Sequence, residues 1–431
     1  MKFILYFNLI KSQIKYSYKK VFLLFFVLCG SHTNAQTNST YLDSVLRNLP
    51  LKQQEVLKNR GKYRLQIVLT QINRDSNNLP QLTHHFYNYD SSRYFNPAST
   101  VKLPVSIFAL EKINELKKFG VLKESTFITD SSKSCSLRID TDSSTENFKP
   151  TIENYIKRML LVSDNFSYSR VFDFLGIDDI HDRLKKYNHL NVRIKIKFDA
   201  LCKNEESYIS KPFYFTNQLG NLLYQQHELI STKKHSYPFG KAIIGKAYMN
   251  AAGKKINTPY DFTEKNFLPL FDLHKILARL VFHDFLREDE RFNISKADWY
   301  FLMKYLSAYP RESTFPKYNE KIYFDAYKKY FIHGAKQKTI SDSTFRIYNI
   351  VGQSYGFLID CAYIVDFTTK TEFILSACIY VNERNIINSG RYEYDTIGFP
   401  FLKELGNIIL KSEQVRHKKN LPDLSYLPKM N

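Results

Sequence analysis

The spacing of apolar residues divides the chain into three stretches. Near the start, Leu42, Val45, Leu46 and Leu49 recur three and four apart within a polar segment, which predicts one helix over 37–60. YRLQIVLTQI at 63–72 is rich in β-branched residues and predicts a strand. The polar run RDSNNLP then turns the chain, and HHFYNYD at 84–90 predicts the partner strand. After the Asn96-Pro97 turn, a long apolar segment predicts a helix over about 100–116.

From about 120 to 340 the period is mainly helical. Helices are predicted at 151–162, after Pro150, and at 166–176, closed by Gly176. Two more are predicted at 268–285 and 298–309, while NVRIKIKF at 191–198 alternates like a strand or an extended arm. The period then returns to two. FRIYNIV (345–351), YGFLIDCAYIVDF (355–367) and TEFILSACIYVN (371–382) predict strands, and 397–413 predicts a closing helix. Strands at both ends with helices between them predict an α/β (α+β) architecture. One antiparallel sheet is built from both ends and flanked by helices, with a helical subdomain inserted over about 120–340.

The extreme N-terminus has another character. Lys11, Lys15, Lys19 and Lys20 precede the short apolar run VFLLFFVLC (21–29), and Thr33 and Ala35 occupy the −3 and −1 places of a cleavage site before Gln36. This predicts a signal peptide over 1–35, an exported mature domain over 36–431, and a periplasmic or cell-envelope location. The apolar run is shorter than the roughly 20 residues a stable span requires, so no membrane insertion is expected after cleavage. The net charge of +20 is spread along the chain. With no nucleic-acid motif beside it, the charge reads as a solvated surface, and no nucleic-acid partner is expected. Cys135, Cys202, Cys361 and Cys378 form no C-x-x-C pair, which argues against a zinc or redox site. Cys361 and Cys378 fall in apolar strands and read as buried thiols. No H-E-x-x-H, P-loop or G-x-G-x-x-G occurs, and His84 and His85 should face opposite sides of their strand. No metal and no cofactor are expected.

The chemistry concentrates in two short segments. Ser99-Thr100-Val101-Lys102 opens the helix after Pro97-Ala98. A serine and a lysine three apart share one helical face, so the amine can take the hydroxyl proton. The helix N-terminus adds backbone N–H donors and a positive field that would hold an oxyanion and lower the lysine's proton affinity. Ser12–Lys15, Ser17–Lys20 and Ser231–Lys234 share the spacing without that setting. The second segment, Ser163-Asp164-Asn165, lies between two predicted helices. There a hydroxyl can relay a proton, an amide can hold a carbonyl, and Asp164 caps the next helix.

In this order, PASTVKLP and LVSDNFSYSRVFDFLG resemble the first two motifs of class A β-lactamases and penicillin-binding proteins, and YNIVGQSYGFLIDCAYIVD resembles the region of their third. The resemblance runs from about 63 to 410 and is nearest in character to the β-lactamase-related serine hydrolases of Bacteroidota envelopes. It implies a β-lactamase/transpeptidase-like fold and an acyl-enzyme at Ser99. Lys102 becomes the base, Ser163 the proton relay and Asn165 a substrate-binding residue. Gly352 and Gln353 would border the substrate, with the Ser99 and Gln353 N–H groups as oxyanion hole. The implied substrate is a small β-lactam or a peptidoglycan-like amide or ester.

Two departures stand against the pattern. Where the family carries Lys-Thr-Gly, this chain has Ile350-Val351-Gly352, leaving Arg346 as the nearest upstream cation. No E-x-x-L-N segment follows Ser163, and Glu205 and Glu206 lack that pattern. Slow turnover is therefore expected. The alternative is an envelope binding protein on the same fold with weak or no catalysis. Gly352-Gln353-Ser354-Tyr355-Gly356 also matches the G-x-S-x-G nucleophile elbow, but the residues after it predict a strand where the elbow needs a helix.

Overall fold

In the computed structural model, strands from the two ends of the chain meet in one antiparallel sheet. The structure describes residues 39–131, 138–198, 207–342 and 344–428, all within the unit Gln36–Asn431. The expected leader 1–35, Cys135, Cys202, Glu205 and Glu206 lie outside the described residues. The strands are β1 (Gln66–Arg74), β2 (Pro80–Tyr87), β3 (Phe345–Ser354), β4 (Phe357–Asp366) and β5 (Thr371–Tyr380), in the spatial order β3-β4-β5-β1-β2. The central strands β4 and β5 are buried along their whole length, which explains their nearly continuous apolar sequence.

Alternation on the strands feeds two cores. Val68, Ile72, Ile350, Ile359 and Cys378 face one core, together with α3 (Lys102–Leu116), α4 (Ile152–Val162), α5 (Asn165–Leu175), α6 (Ile177–Lys186), α7 (Leu270–Val281) and α8 (Lys296–Ser307). Ile67, Leu69, Val351, Ala362 and Leu375 face the other, against α1 (Thr40–Leu46), α2 (Leu51–Lys58) and α9 (Phe399–Val415). The sheet is therefore covered on both sides, as expected for an antiparallel sheet flanked by helices in an α/β (α+β) fold. Cys361 and Cys378 are buried free thiols. The rings of His84 and His85 turn to opposite sides, His84 toward Thr70 and His85 toward Ser39 and Gln71.

Three sequence expectations change. The single helix over 37–60 is two, α1 and α2, because Pro50 disfavours helical geometry at Leu49 and instead caps α2 in an extended conformation. The inserted region is not mainly helical throughout. Thr126–Thr129 pairs with Phe213–Thr216, which pairs with Leu222–Gln226, and further short ladders follow to 261. The aromatic residues of 213–216 alternate and pack against Phe127 and Phe174. The segment 191–198 is an extended arm with one bridge, Arg193 to Phe267. Helix α6 was not predicted, although Ile177, Ile180 and Leu184 form a buried stripe. Its Asp178 and Asp179 in the first turn and Arg183, Lys185 and Lys186 in the last match the helix dipole, a signal that was there to read.

Two local features place the site. Helix α3 is buried on almost every side, so its mouth is fixed by the core behind it. The 3-10 turn Ala98–Val101 that leads into it rests against β3 at Gly352. A Cβ on Gly352 would stand 2.6 Å from the Pro97 carbonyl oxygen and 3.2 Å from Ala98 Cβ. Only glycine permits that approach.

Gly352→Ala is expected to cost about 1–3 kcal/mol by overpacking, read as a fall in the denaturant midpoint. An unchanged midpoint would show that the turn can yield. Deeper in the sheet, Arg74 on β1 donates to both carboxylate oxygens of Glu372 on β5, at 2.6 and 2.9 Å, and Tyr363 donates to the same carboxylate. Glu372→Gln leaves a buried guanidinium unpaired and is expected to destabilise by about 3–5 kcal/mol in the same measurement.

Candidate active site

The site begins with a lysine amine drawn out of water. Lys102 is the first residue of α3 and is fully buried. Its Nζ lies 3.0 Å from Ser99 Oγ, 2.6 Å from the Ser163 carbonyl oxygen, 3.1 Å from Ser163 Oγ and 2.7 Å from Asn165 Oδ1. Ser99, Ser163 and Asn165, which sequence spacing placed in two separate motifs, thus meet at the amine of Lys102.

Each neighbour is held by its own local geometry. Asn96 Oδ1 accepts from Ala98 N at 2.9 Å, holding Ala98 at a left-handed φ of 46°. Thr100 Oγ1 donates to the Pro97 carbonyl at 2.7 Å and closes the turn that carries Ser99. Ser163 ends α4 in the left-handed region, with φ 61° and ψ 38°, a conformation costly for a residue with a Cβ. It turns both its hydroxyl and its carbonyl toward Lys102. Asp164 caps α5, accepting from Ser167 N at 2.8 Å, and is paired with Arg158 at 3.0 Å. That cap starts the helix whose first residue is Asn165.

The electrostatics favour a neutral amine. Burial pushes Lys102 well below the ordinary lysine value, the charge on Lys328 pushes the same way, and Asp164 opposes them. The two shortest contacts go to carbonyl oxygens, which can only accept, so the amine donates to both; in its neutral form it keeps one lone pair for one of the two hydroxyls.

A cleft of about 340 Å³ opens beside Ser99, within the range of small-molecule sites. Ala98, Asn165, Phe198, Lys197, Lys265 and Gln353 line parts of it. Lys197 Nζ is 2.6 Å from Asp173. Phe198 stacks on Tyr168 at 4.4 Å and lies 5.6 Å from the Lys102 amine, forming an apolar wall. Gly352 sits behind the Ser99 turn, whereas Gln353 reaches the cleft.

Arg346 does not serve as the substitute cation. It is six residues from Gly352 along β3, about 20 Å at strand rise, and its guanidinium donates to Glu312 at 3.1 Å and covers Tyr309. Ser354 is no elbow nucleophile either. Tyr355 and Gly356 both have positive φ, 53° and 92°, and turn β3 directly into β4. Among the described residues, no cluster of three histidine, cysteine or carboxylate side chains could hold a metal ion.

Comparison with known proteins gives the following. Residues 52–237 match the model of the beta-lactamase enzyme family. No curated protein sequence matches the chain. Among solved structures, a β-lactamase from Sphaerobacter thermophilus is 10% identical, with 88% of this chain and 98% of that one aligned at a TM-score of 0.46. A mutant of PBP-A, solved as an acyl-enzyme complex with penicillin G, is 12% identical over 88% of this chain and 98% of its own, TM-score 0.45. A class A β-lactamase from Mycobacterium abscessus is 13% identical over 84% and 99%, TM-score 0.43. The segment 52–237, which carries Ser99, Lys102, Ser163 and Asn165, is the part of this chain that matches the beta-lactamase enzyme family.

Proposed function

We propose that this protein is a serine acyl-transfer hydrolase that forms an acyl-enzyme at Ser99 with a β-lactam or a peptidoglycan-type amide. One observation carries this reading: a buried amine at Lys102, its proton affinity lowered, that contacts two carbonyl oxygens and lies 3.0 Å from Ser99 Oγ. In that state Lys102 takes the proton from Ser99 Oγ as the oxygen attacks the substrate carbonyl carbon. The backbone N–H groups of Ser99 and Gln353 hold the oxyanion at the mouth of the turn. As the carbon–nitrogen bond breaks, the proton passes from Lys102 through the Ser163 hydroxyl, 3.1 Å away, to the departing nitrogen. Asn165 contributes its amide to the substrate side of the cleft.

Water then cleaves the ester. Two features support slow turnover at that step. The chain lacks the family's deacylating glutamate pattern, and among the described residues the cleft lining includes Lys197 and Lys265 but no carboxylate. We place the mature protein in the cell envelope, because the N-terminal sequence has the character of an export signal; among the described residues no helix is long and apolar enough to cross a membrane.

A second reading is a binding protein on the same fold. It is favoured by Ile350 and Val351, which are buried in the two cores where the family's third motif presents a cation and a hydroxyl. It predicts ligand binding that survives Ser99→Ala with no covalent step.

The test is mass spectrometry of the folded protein after incubation with a fluorophosphonate and with penicillin G. A stoichiometric adduct on Ser99 is expected, absent in Ser99→Ala and formed about 10²–10⁴ times more slowly in Lys102→Met. No adduct with either probe would overturn the hydrolase reading. The pH dependence has a definite sign. The base form of Lys102 is the active one, so labelling should rise with pH and reach its plateau well below 10.5. A rate still climbing at that pH would mean that the amine is not desolvated in solution.

A further inference from the structure

The reading above leaves a buried pair of lysines without a task. Lys328 and Lys329 sit on the turn Asp325–Lys328 and just after it, beside the outer edge of β3. Both are buried. Lys329 is accounted for by structure: its Nζ donates to the carbonyls of Leu306 and Ile347, at 2.9 and 2.8 Å, and to Asn349 Oδ1 at 2.8 Å. It thereby covers the free edge of the strand. Lys328 points elsewhere. Its Nζ donates to the carbonyl oxygen of Leu160, in the last turn of α4, three residues before Ser163.

We propose that Lys328 is a positioning residue of this catalytic centre, a second cation delivered by the turn at 325–328 rather than by strand β3. This rests on the hydrolase reading above and refines it. Two contacts define the role. Lys328 grips the α4 terminus that presents the Ser163 hydroxyl and carbonyl to Lys102. Its own backbone is tied to β3, since Asn349 Nδ2 donates to the Lys328 carbonyl at 2.7 Å and to Asp360 Oδ1 at 2.9 Å. Asp360 in turn accepts from the N–H groups of Tyr330 and Phe331 at 3.2 and 3.1 Å. The ammonium is thus fixed by two elements of the sheet side and by one helix of the other side.

Its charge acts on Lys102 through a dry interior, where like charges repel strongly. After burial, Lys328 is the next cause that lowers the proton affinity of Lys102; Asp164, paired with Arg158, acts the other way. Lys328 is itself pushed down to about 7 by burial, against the pull of Asp360. Its charge is therefore half present at about pH 7 and fuller below it, so its effect on Lys102 is largest on the acidic side of neutrality. A cation placed behind Ser163 leaves β3 free to be apolar at 350 and 351.

The test is the pH dependence of Ser99 labelling by a fluorophosphonate, which carries no carboxylate and so reports the nucleophile and base alone. Lys328→Met should move the acidic limb of the rate upward by about one pH unit, with the rate recovering at high pH. At a pH on that limb this is a loss of about tenfold. Lys328→Arg keeps the charge and should leave the limb in place or move it to lower pH. An unmoved limb in Lys328→Met, or a loss equal at every pH, would overturn the proposal and leave the hydrolase reading intact. Should Lys328→Met fail to fold by circular dichroism, Lys328→Arg decides, because an upward limb in a charged variant contradicts it. Wild-type protein that never labels at Ser99 would overturn both.

Discussion

Burying a lysine amine away from carboxylates costs it proton affinity, and Lys102 has no carboxylate in contact. This constraint organises the site. The ionised form is penalised by burial and by a second amine, so the proton affinity of Lys102 falls well below the ordinary lysine value. A neutral amine needs two acceptors and offers one lone pair. The chain provides the acceptors as a carbonyl and an amide oxygen from the α4–α5 turn, and presents Ser99 to the lone pair from the preceding turn of its own helix. Burial, hydrogen-bond count and nucleophile placement are thus one arrangement seen three ways.

Such a pocket needs rigid walls, and the fold supplies them from distant parts of the sequence. Helix α3 is locked in one core, the sheet edge presses on the serine turn through Gly352, and the α4 terminus is held in a left-handed conformation at Ser163. Two strained backbone positions, Ala98 and Ser163, flank the nucleophile and the relay. Strain of this kind persists when surroundings over-determine it, and here Asn96 and the capped start of α5 do so.

The sequence made the site more legible than parts of the fold. Ser99 and Lys102 are one helical turn apart, so their contact is local and readable from spacing. Ser163 and Asn165 are readable as a turn between two helices, with Asp164 as the cap. The five sheet strands were visible because their alternation is set by two cores. What could not be read depends on long-range packing. Lys328 lies in a polar stretch with no period, and nothing local says that its amine ends beneath α4. Arg346 looked like the nearest cation because sequence distance was the only measure at hand; the strand carries it away to Glu312. The break at Pro50 and the charged helix α6 were readable in principle, from a proline rule and a dipole pattern that a search for apolar periodicity passes over. The strand at 213–216 packs its Phe213 and Phe215 on Phe127 and Phe174, a contact no window of sequence contains.

The site depends on burial lowering the proton affinity of the Lys102 amine well below that of an ordinary lysine. Nuclear magnetic resonance titration of protein with 13C-labelled lysine side chains, the Lys102 signal being identified by its loss in Lys102→Met, measures this directly. The account predicts a midpoint for Lys102 well below 10.5, distinct from the surface lysines. A Lys102 signal that titrates together with the surface lysines would contradict it.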